Sequence, residues 1–545
     1  STPSNSSAAS DVYKRQIMSN LDSDFFNSTT ILELKQVLEK VAKEQYNTKN
    51  IKTTSNVDNT FFNSKKPFDL TNEELIQKGQ DYIDFTYESP TIYHVVANLT
   101  KDLTDNGFTY ISEKSYDEWK NLQKGGKYFT TRGDCSLLAF TLGGQWDPKT
   151  GCGAIGSHID ALHVKLKPAS IKNKFEGYEL LGVANYGGTL NELWLNRDLG
   201  LGGRVIVKDS SKKFKTVLID STPDCIAFIP SLAPHYGEPS KFPYDTESQT
   251  VPIIGYFNDE SREEAPPTKE EKASPLFGKH SINLLRYIAK MADVRVSELY
   301  QLDLELYDIQ KGTFGGLKKD FLMSPRQDDR LCSYPALQSL INFSKITDLE
   351  SSKDLNIVAL YDKEEVGSLD RQGARSGLFD NSVARILSSY ASKDIDSELL
   401  FRTTLSNSFF LSADVIHLHN PNFDSVYLEH HKPKPNVGVT ISLDPNGHMA
   451  TDAIGVSIVE EIARINGDQL QYFQIKNNSR SGGTIGPSIA CTNASGVRVI
   501  DLGIAELSMH AIREVTGSKD VGLGIRFFTN FFRTYKQVLE TFGDL

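Results

Sequence analysis

Glu364 and Glu365 stand side by side where an apolar run, residues 356–360, gives way to a turn at Gly367. Adjacent carboxylates repel each other unless a cation or a shared proton lies between them, and a metal ion is the simplest remedy. A solvated turn is the alternative for that pair taken alone. Four other stretches carry compatible chemistry. His158 and Asp160 are two positions apart in an extended run, so both project to one face, and the aspartate can orient the imidazole as carboxylates do behind metal-bound histidines. Asp328 and Asp329 precede a helical pattern, where a helix cap is the competing explanation. Asp414 closes the apolar run 409–413, and the strand-like run 497–504 leads towards His510. Together His158, Asp328, Glu365, Asp414 and His510 supply two imidazoles and three carboxylates. That mixture suits two zinc ions sharing one carboxylate, with open positions for water and substrate.

The elements that must position these residues are short buried strands alternating with helices. Residues 356–360 are apolar and partly β-branched, which predicts a buried strand, and ligands of open α/β sheets bind outside the carboxyl ends of such strands. Residues 137–142 and the small-residue run ending at His158 read the same way. A capping box at Thr71 and Glu74 predicts a helix through about Phe85, and a second helix is expected over 92–103, with His94 as a core histidine. Between 162 and 301 the character changes to glycine-punctuated β-like runs (204–207, 217–220, 251–254), an acidic loop at 259–272 and a helix at 282–291. His235 lies in a loop of this insertion, with no role assigned by its neighbours. Helical patterns are also expected after Asp329 and over 511–515. The stripe Phe527, Phe528, Phe531, Phe532, Tyr535, Val538, Leu539, Phe542 has helical spacing and predicts core packing.

The 545 residues suffice for two or three domains, and 39% hydrophobic with 24% charged residues is ordinary for a globular chain. A net charge of −11 argues against nucleic acid or an anionic membrane as partner. No apolar run reaches the roughly 18–20 residues of a membrane span, and the first residues lack the apolar core of a secretory signal. The five cysteines are scattered without a C-x-x-C pair, which fits folding in a reducing compartment. Residues 1–29 are Ser/Asn/Asp-rich, which predicts disorder, and Met18 is a candidate start. Residues 30–42 carry Ile31, Leu34, Leu38 and Val41 on one helical face, and an Asn/Thr/Lys-rich linker follows from 45 to 66. A short helix of this kind needs a partner for its apolar stripe; folding back on the main body would supply one, and the linker favours a detachable helix that binds a separate partner.

The stretches 156–160, 324–328, 364–368, 412–414 and 507–510 resemble, in order, the motifs of the aspartyl aminopeptidase family of dinuclear zinc exopeptidases, with similarity from about Leu70 to the C-terminus. Residues 185–194 and 443–449 resemble a vacuolar branch of it in particular. The resemblance implies an α/β fold: a zinc-exopeptidase sheet flanked by helices, with an inserted β-rich dimerisation domain. It implies a disordered N-terminus with propeptide helix and linker over 1–66, a catalytic domain in two parts, 67–161 and 302–545, and the insertion between them, 162–301. It further implies one zinc on His158 and Asp414, a second on Glu365 and His510, and Asp328 bridging. Asp160 would orient His158, Glu364 would be the general base for the attacking water, and His235 would reach the neighbouring subunit's site. A tetrahedral dodecamer admitting small peptides is the implied assembly. The N-terminal helix resembles a propeptide that clusters dodecamers and binds a selective-autophagy receptor for transport from the cytoplasm, where the chain is made, to the vacuole. Residues 481–487 resemble a loop that holds the substrate backbone.

Two departures carry expectations. Gln327 replaces an apolar residue before the bridging acid, which implies altered packing rather than lost metal. Acid-selective members carry a lysine near the position of Asn446, and no lysine stands in this segment. Neutral, Leu-like N-terminal residues are therefore the expected substrates. The rival readings are a catalytically silent self-assembling scaffold and a related deacylase or carboxypeptidase.

Overall fold

The computed structural model describes residues 66–257, 265–390, 394–491 and 496–544. The expectations for residues 1–29, for the helix at 30–42 and for almost all of the linker after it lie outside the described residues, as does part of the acidic loop. Residues 67–545 form one compact unit.

A nine-stranded sheet runs through this unit in the order Thr109–Tyr110, Lys127–Arg132, Ser136–Leu142, Leu355–Tyr361, Gly153–His158, Phe409–Ala413, Arg498–Gly503, Thr440–Leu443, Gln471–Gln474. Its middle is parallel: Leu355–Tyr361, Gly153–His158, Phe409–Ala413 and Arg498–Gly503 lie side by side and point the same way. Every residue of Leu355–Tyr361 and of Gly153–His158 is buried. Such continuous apolar strands are what a parallel sheet covered on both faces demands. Side chains alternate between two packed layers. Val358, Leu360, Leu411 and Ile500 face the helices Gln327–Ile346, Ala453–Asn466 and Asp520–Phe542. Ile357, Ala359, Phe410 and Val499 face Leu378–Ser388, Ser397–Ser406 and Ile485–Cys491. The C-terminal aromatic stripe is core, with Phe527, Phe528, Phe531 and Phe532 each at most 2% exposed.

The first helices follow the sequence reading. Asn72–Glu88 is capped by the reciprocal Thr71/Glu74 box, and Ile92–Asp105 follows it. His94 is half-buried, with Nδ1 2.8 Å from the Thr91 hydroxyl.

A second, six-stranded sheet has the order Phe214–Asp220, Leu199–Lys208, Leu299–Asp308, His163–Ile171, Tyr178–Tyr186, Ile253–Tyr256, all neighbours antiparallel. Helix Ile282–Met291 packs its Leu284, Leu285 and Ile288 onto it. The expected boundary at 301 runs through the strand Leu299–Asp308. That strand pairs with Leu199–Lys208 from Leu299 to Asp308 and with His163–Ile171 at Glu305 and Leu306, so the sheet extends to Asp308.

One expected element is corrected. Residues 511–515 are not helical: residues 508–513 form a turn, and Glu514–Gly517 is a strand pairing with Phe321–Ser324. Five residues cannot meet the cost of nucleating a helix unaided, and Glu514 and Val515 join the ladder to residues 321–324 instead.

Candidate metal centre

Three of the four parallel strands deliver a candidate ligand at their carboxyl ends. His158 is the last residue of its strand and pairs in register with Tyr361 of the neighbour. Beyond Tyr361 the chain turns through Glu364–Val366, which Gly367 ends at φ +94°, a conformation that costs glycine nothing. On the other side Asp414 follows Ala413 directly. The remaining two candidates arrive on connections: Asp328 at the start of Gln327–Ile346, and His510 in the turn before Glu514.

These five side chains converge. His158, Asp328 and Asp414 each offer a ligand atom with all three within 4.8 Å of one another, and so do Asp328, Glu365 and His510. Asp328 belongs to both groups and spends one oxygen on each: Oδ1 lies 3.0 Å from His158 Nε2, and Oδ2 lies 3.1 Å from His510 Nε2. His158 Nε2 is also 3.6 Å from Asp414, and His510 Nε2 is 3.6 Å from Glu365. Asp328 is therefore not a helix cap. Asp329, the other acid of the pair, turns away and accepts a hydrogen bond from Ser157 Oγ at 2.5 Å.

Asp160 lies behind His158. The ring Nδ1 is 3.0 Å from the Asp160 carbonyl oxygen and 3.2 Å from Oδ1, both acceptors, so the proton sits on Nδ1 and Nε2 faces the acids. Asp160 also accepts from the Tyr186 hydroxyl at 2.7 Å and from the backbone N–H groups of Glu364 and Glu365 at 3.2 and 3.3 Å. It thus ties the histidine strand to the double-glutamate turn. Burial opposes its charge, but His158, Tyr186 and the Glu364 N–H hold it below the usual carboxylate range.

The electrostatics are those of a site built for positive charge. Burial, with Asp414, Asp160 and Asp328 nearby, pushes Glu364 up to about 8. Burial and the Asp328 charge push Glu365 up as well, and burial raises Asp414. Against burial, His158 and His510 hold Asp328 down, while their own protonated forms are favoured by the surrounding carboxylates. Glu365 Oε1 is buried and has no hydrogen-bond partner. A donor set of one imidazole nitrogen and one carboxylate on each side of a shared aspartate, with one orphaned oxygen, fits zinc.

A cavity of about 360 Å³ opens from these residues. Val415, Ile416, Met449, Phe473 and Ile475 form much of its wall, Ser481 to Thr484 pass along it, and its described lining contains no lysine or arginine. Asn446 lies outside that wall, exposed in a turn and bonded to Asp444. His235 is exposed in the short turn Pro234–Tyr236 beside the second sheet and does not line this cavity.

Residue types alone did not single out Tyr186, whose reach to Asp160 crosses between sheets, or Glu514. The Glu514 carboxylate accepts from the backbone N–H groups of Gln327, Asp328 and His510 at 2.5, 3.4 and 3.0 Å. Gln327 is buried, and its amide donates to the Glu514 carbonyl at 2.9 Å, a polar task that no apolar residue could perform.

The family described as Aminopeptidase I zinc metalloprotease (M18) matches residues 85–532. Vacuolar aminopeptidase 1 of Saccharomyces cerevisiae is 55% identical over 470 residues, covering 86% of this chain and 90% of that protein. Aspartyl aminopeptidase of Aspergillus oryzae is 36% identical over 496 residues, 86% of this chain and 98% of that one. The crystal structure of prApe1 superimposes with a TM-score of 0.83 at 54% identity, covering 86% of this chain and 97% of that chain. The S. cerevisiae mApe1 dodecamer does so at 0.77 and 52%, covering 86% and 99%. The Ape4 chain solved in complex with Nbr1 gives 0.80 and 32%, covering 87% and 89%.

Proposed function

The chain belongs to the aminopeptidase I zinc metalloprotease family (M18) and is a metalloaminopeptidase, and from that premise we propose how its residues divide the work. His158 and Asp414 hold one zinc ion, Glu365 and His510 a second, and Asp328 both; the two convergent trios support this count. Bound there, zinc supplies Lewis acidity towards a scissile carbonyl and acidifies water. Asp160 keeps the His158 ring in the tautomer that leaves Nε2 free for a ligand. Glu364 belongs to neither trio yet lines the same cavity, so it is the base that takes a proton from the attacking water and returns it to the departing amine. The surrounding carboxylates favour a substrate bearing a free α-ammonium group, as an aminopeptidase requires.

The preferred N-terminal residue is neutral and Leu-like. The observation that carries this is the cavity wall of Val415, Ile416, Met449, Phe473 and Ile475, in which an acidic side chain meets no lysine or arginine among the described residues. Hydrolysis of Leu- and Asp-anilides by metal-loaded protein, with a chelated control, tests it. Chelator-sensitive cleavage favouring Leu is expected. A preference for Asp would reject the specificity and leave the peptidase; no cleavage of either at full metal occupancy would reject the assignment of the site.

The insertion serves dimerisation and carries His235 towards a neighbouring subunit's site, and the assembly is a dodecamer; the yeast relative solved as one supports this. Delivery as an assembled zymogen from cytoplasm to vacuole, through a receptor binding residues 30–42, is supported by the vacuolar relative and by the Ape4–Nbr1 complex. No observation favours a silent scaffold.

A further inference from the structure

Glu514 is 2% exposed, and its two carboxylate oxygens serve two different connections. Oε2 accepts from the N–H of Gln327 at 2.5 Å and of Asp328 at 3.4 Å; Oε1 accepts from the N–H of His510 at 3.0 Å. Those connections bring in the two candidate ligands that do not sit at strand ends. Both are locally irregular. Arg326, Ser508 and His510 have left-handed backbone, with φ of 59°, 64° and 66°, and none is glycine. Turns of this kind leave N–H groups that neither helix nor sheet can pair. Glu514 itself is held rigidly, paired with Ser324 in the ladder between Glu514–Gly517 and Phe321–Ser324.

We propose that Glu514 is a positioning residue whose carboxylate clasps the Gln327–Asp328 and His510 backbones together, fixing the separation of Asp328 and His510 and with it the one metal position that both would hold. The proposal rests on the ligand assignment given above. It explains why a buried acid stands beside a site already rich in acids: a carboxyl group presents an acceptor oxygen to each connection, and an amide side chain has only one such oxygen. Replacing Glu514 by glutamine turns one oxygen into an NH2 group, which would face an N–H donor on one connection or the other. Aspartate keeps both acceptors on a stem shorter by one methylene.

The test uses the full-length, assembled protein as wild type, E514Q and E514D. Metal content is measured after dialysis against a graded chelator, the visible spectrum is recorded after cobalt substitution, and kcat and KM are determined. E514Q is expected to lose metal at about 10–100-fold lower chelator strength, the range typical when a partner behind the ligands is removed. Its cobalt spectrum should change, and kcat should fall with KM nearly constant; E514D should lie between E514Q and wild type. Wild-type metal retention and cobalt spectrum in assembled E514Q would overturn the clasp. If E514Q does not assemble, E514D decides: an unchanged chelator midpoint and spectrum would overturn it equally. Failure of wild type to retain metal would instead reject the ligand assignment.

Discussion

Glu364 and Glu365 are neighbours in the chain with different surroundings. Glu365 faces His510 at 3.6 Å and shares a ligand group with it, whereas Glu364 enters neither group. Glu364→Gln should therefore keep metal content within about twofold of wild type, while kcat falls by about 10²–10⁴. Elemental analysis beside anilide hydrolysis measures both. The metal-free site also holds protons: Glu364, pushed up to about 8, is protonated at pH 6.5, and Glu365 and Asp414 are shifted in the same direction by burial. A bound cation favours their charged forms, so binding must expel those protons. Calorimetric titration with zinc at pH 6.5 in buffers of different ionisation enthalpy should register proton release, and apparent affinity should rise with pH up to about 8. The ligand types were legible in the sequence because each acid or histidine that gathers here follows a buried strand or opens a connection. Glu514 and Tyr186 were not, because they act through another residue's backbone or carboxylate, and nothing in their local sequence records that partner.

At the scale of elements, parallel pairing of four strands sets the spacing of His158, Asp414 and the double-glutamate turn. Those strands were readable as short apolar runs with acids or histidine at their ends. Apart from residues 137–142, the outer strands of the sheet and the turn around His510 were not, since their conformation is set by tertiary partners: residues 511–515 carry a helical pattern, yet 511–513 lie in a turn and Glu514 and Val515 join the ladder to Phe321–Ser324. Close approach matters as much as pairing. A Cβ on Gly503 would lie 1.7 Å from the Asp414 carbonyl oxygen, a backbone atom that cannot swing aside. Gly503→Ala should cost about 1–3 kcal/mol of stability, lowering the thermal unfolding midpoint. It should also weaken metal retention, because the strand end carrying Asp414 must move. An alanine variant with an unchanged midpoint would show that the strands part without cost.

At the scale of the molecule, residues 67–545 form a compact unit by themselves, and the family match lies within it, over residues 85–532. Removal of residues 1–66 should leave chelator-sensitive peptidase activity within about twofold and abolish vacuolar delivery in cells. Light scattering on the full chain should give twelve times its 60.7 kDa. Loss of activity on deletion would place the leading segment inside the catalytic machinery. The order of the strands also bears on how the chain is made. Gly153–His158 lies between Leu355–Tyr361 and Phe409–Ala413, both translated long after it, and the last candidate ligand, His510, comes later still. A nascent chain therefore emerges from the ribosome with its first ligand stranded beside partners not yet synthesised. Because the long-range pairings close only late, an interrupted or truncated polypeptide has no complete site. Proteolytic capacity arises only once the stretch carrying His510 has been translated and has folded back beside the earlier strands, a restraint inherent in the topology.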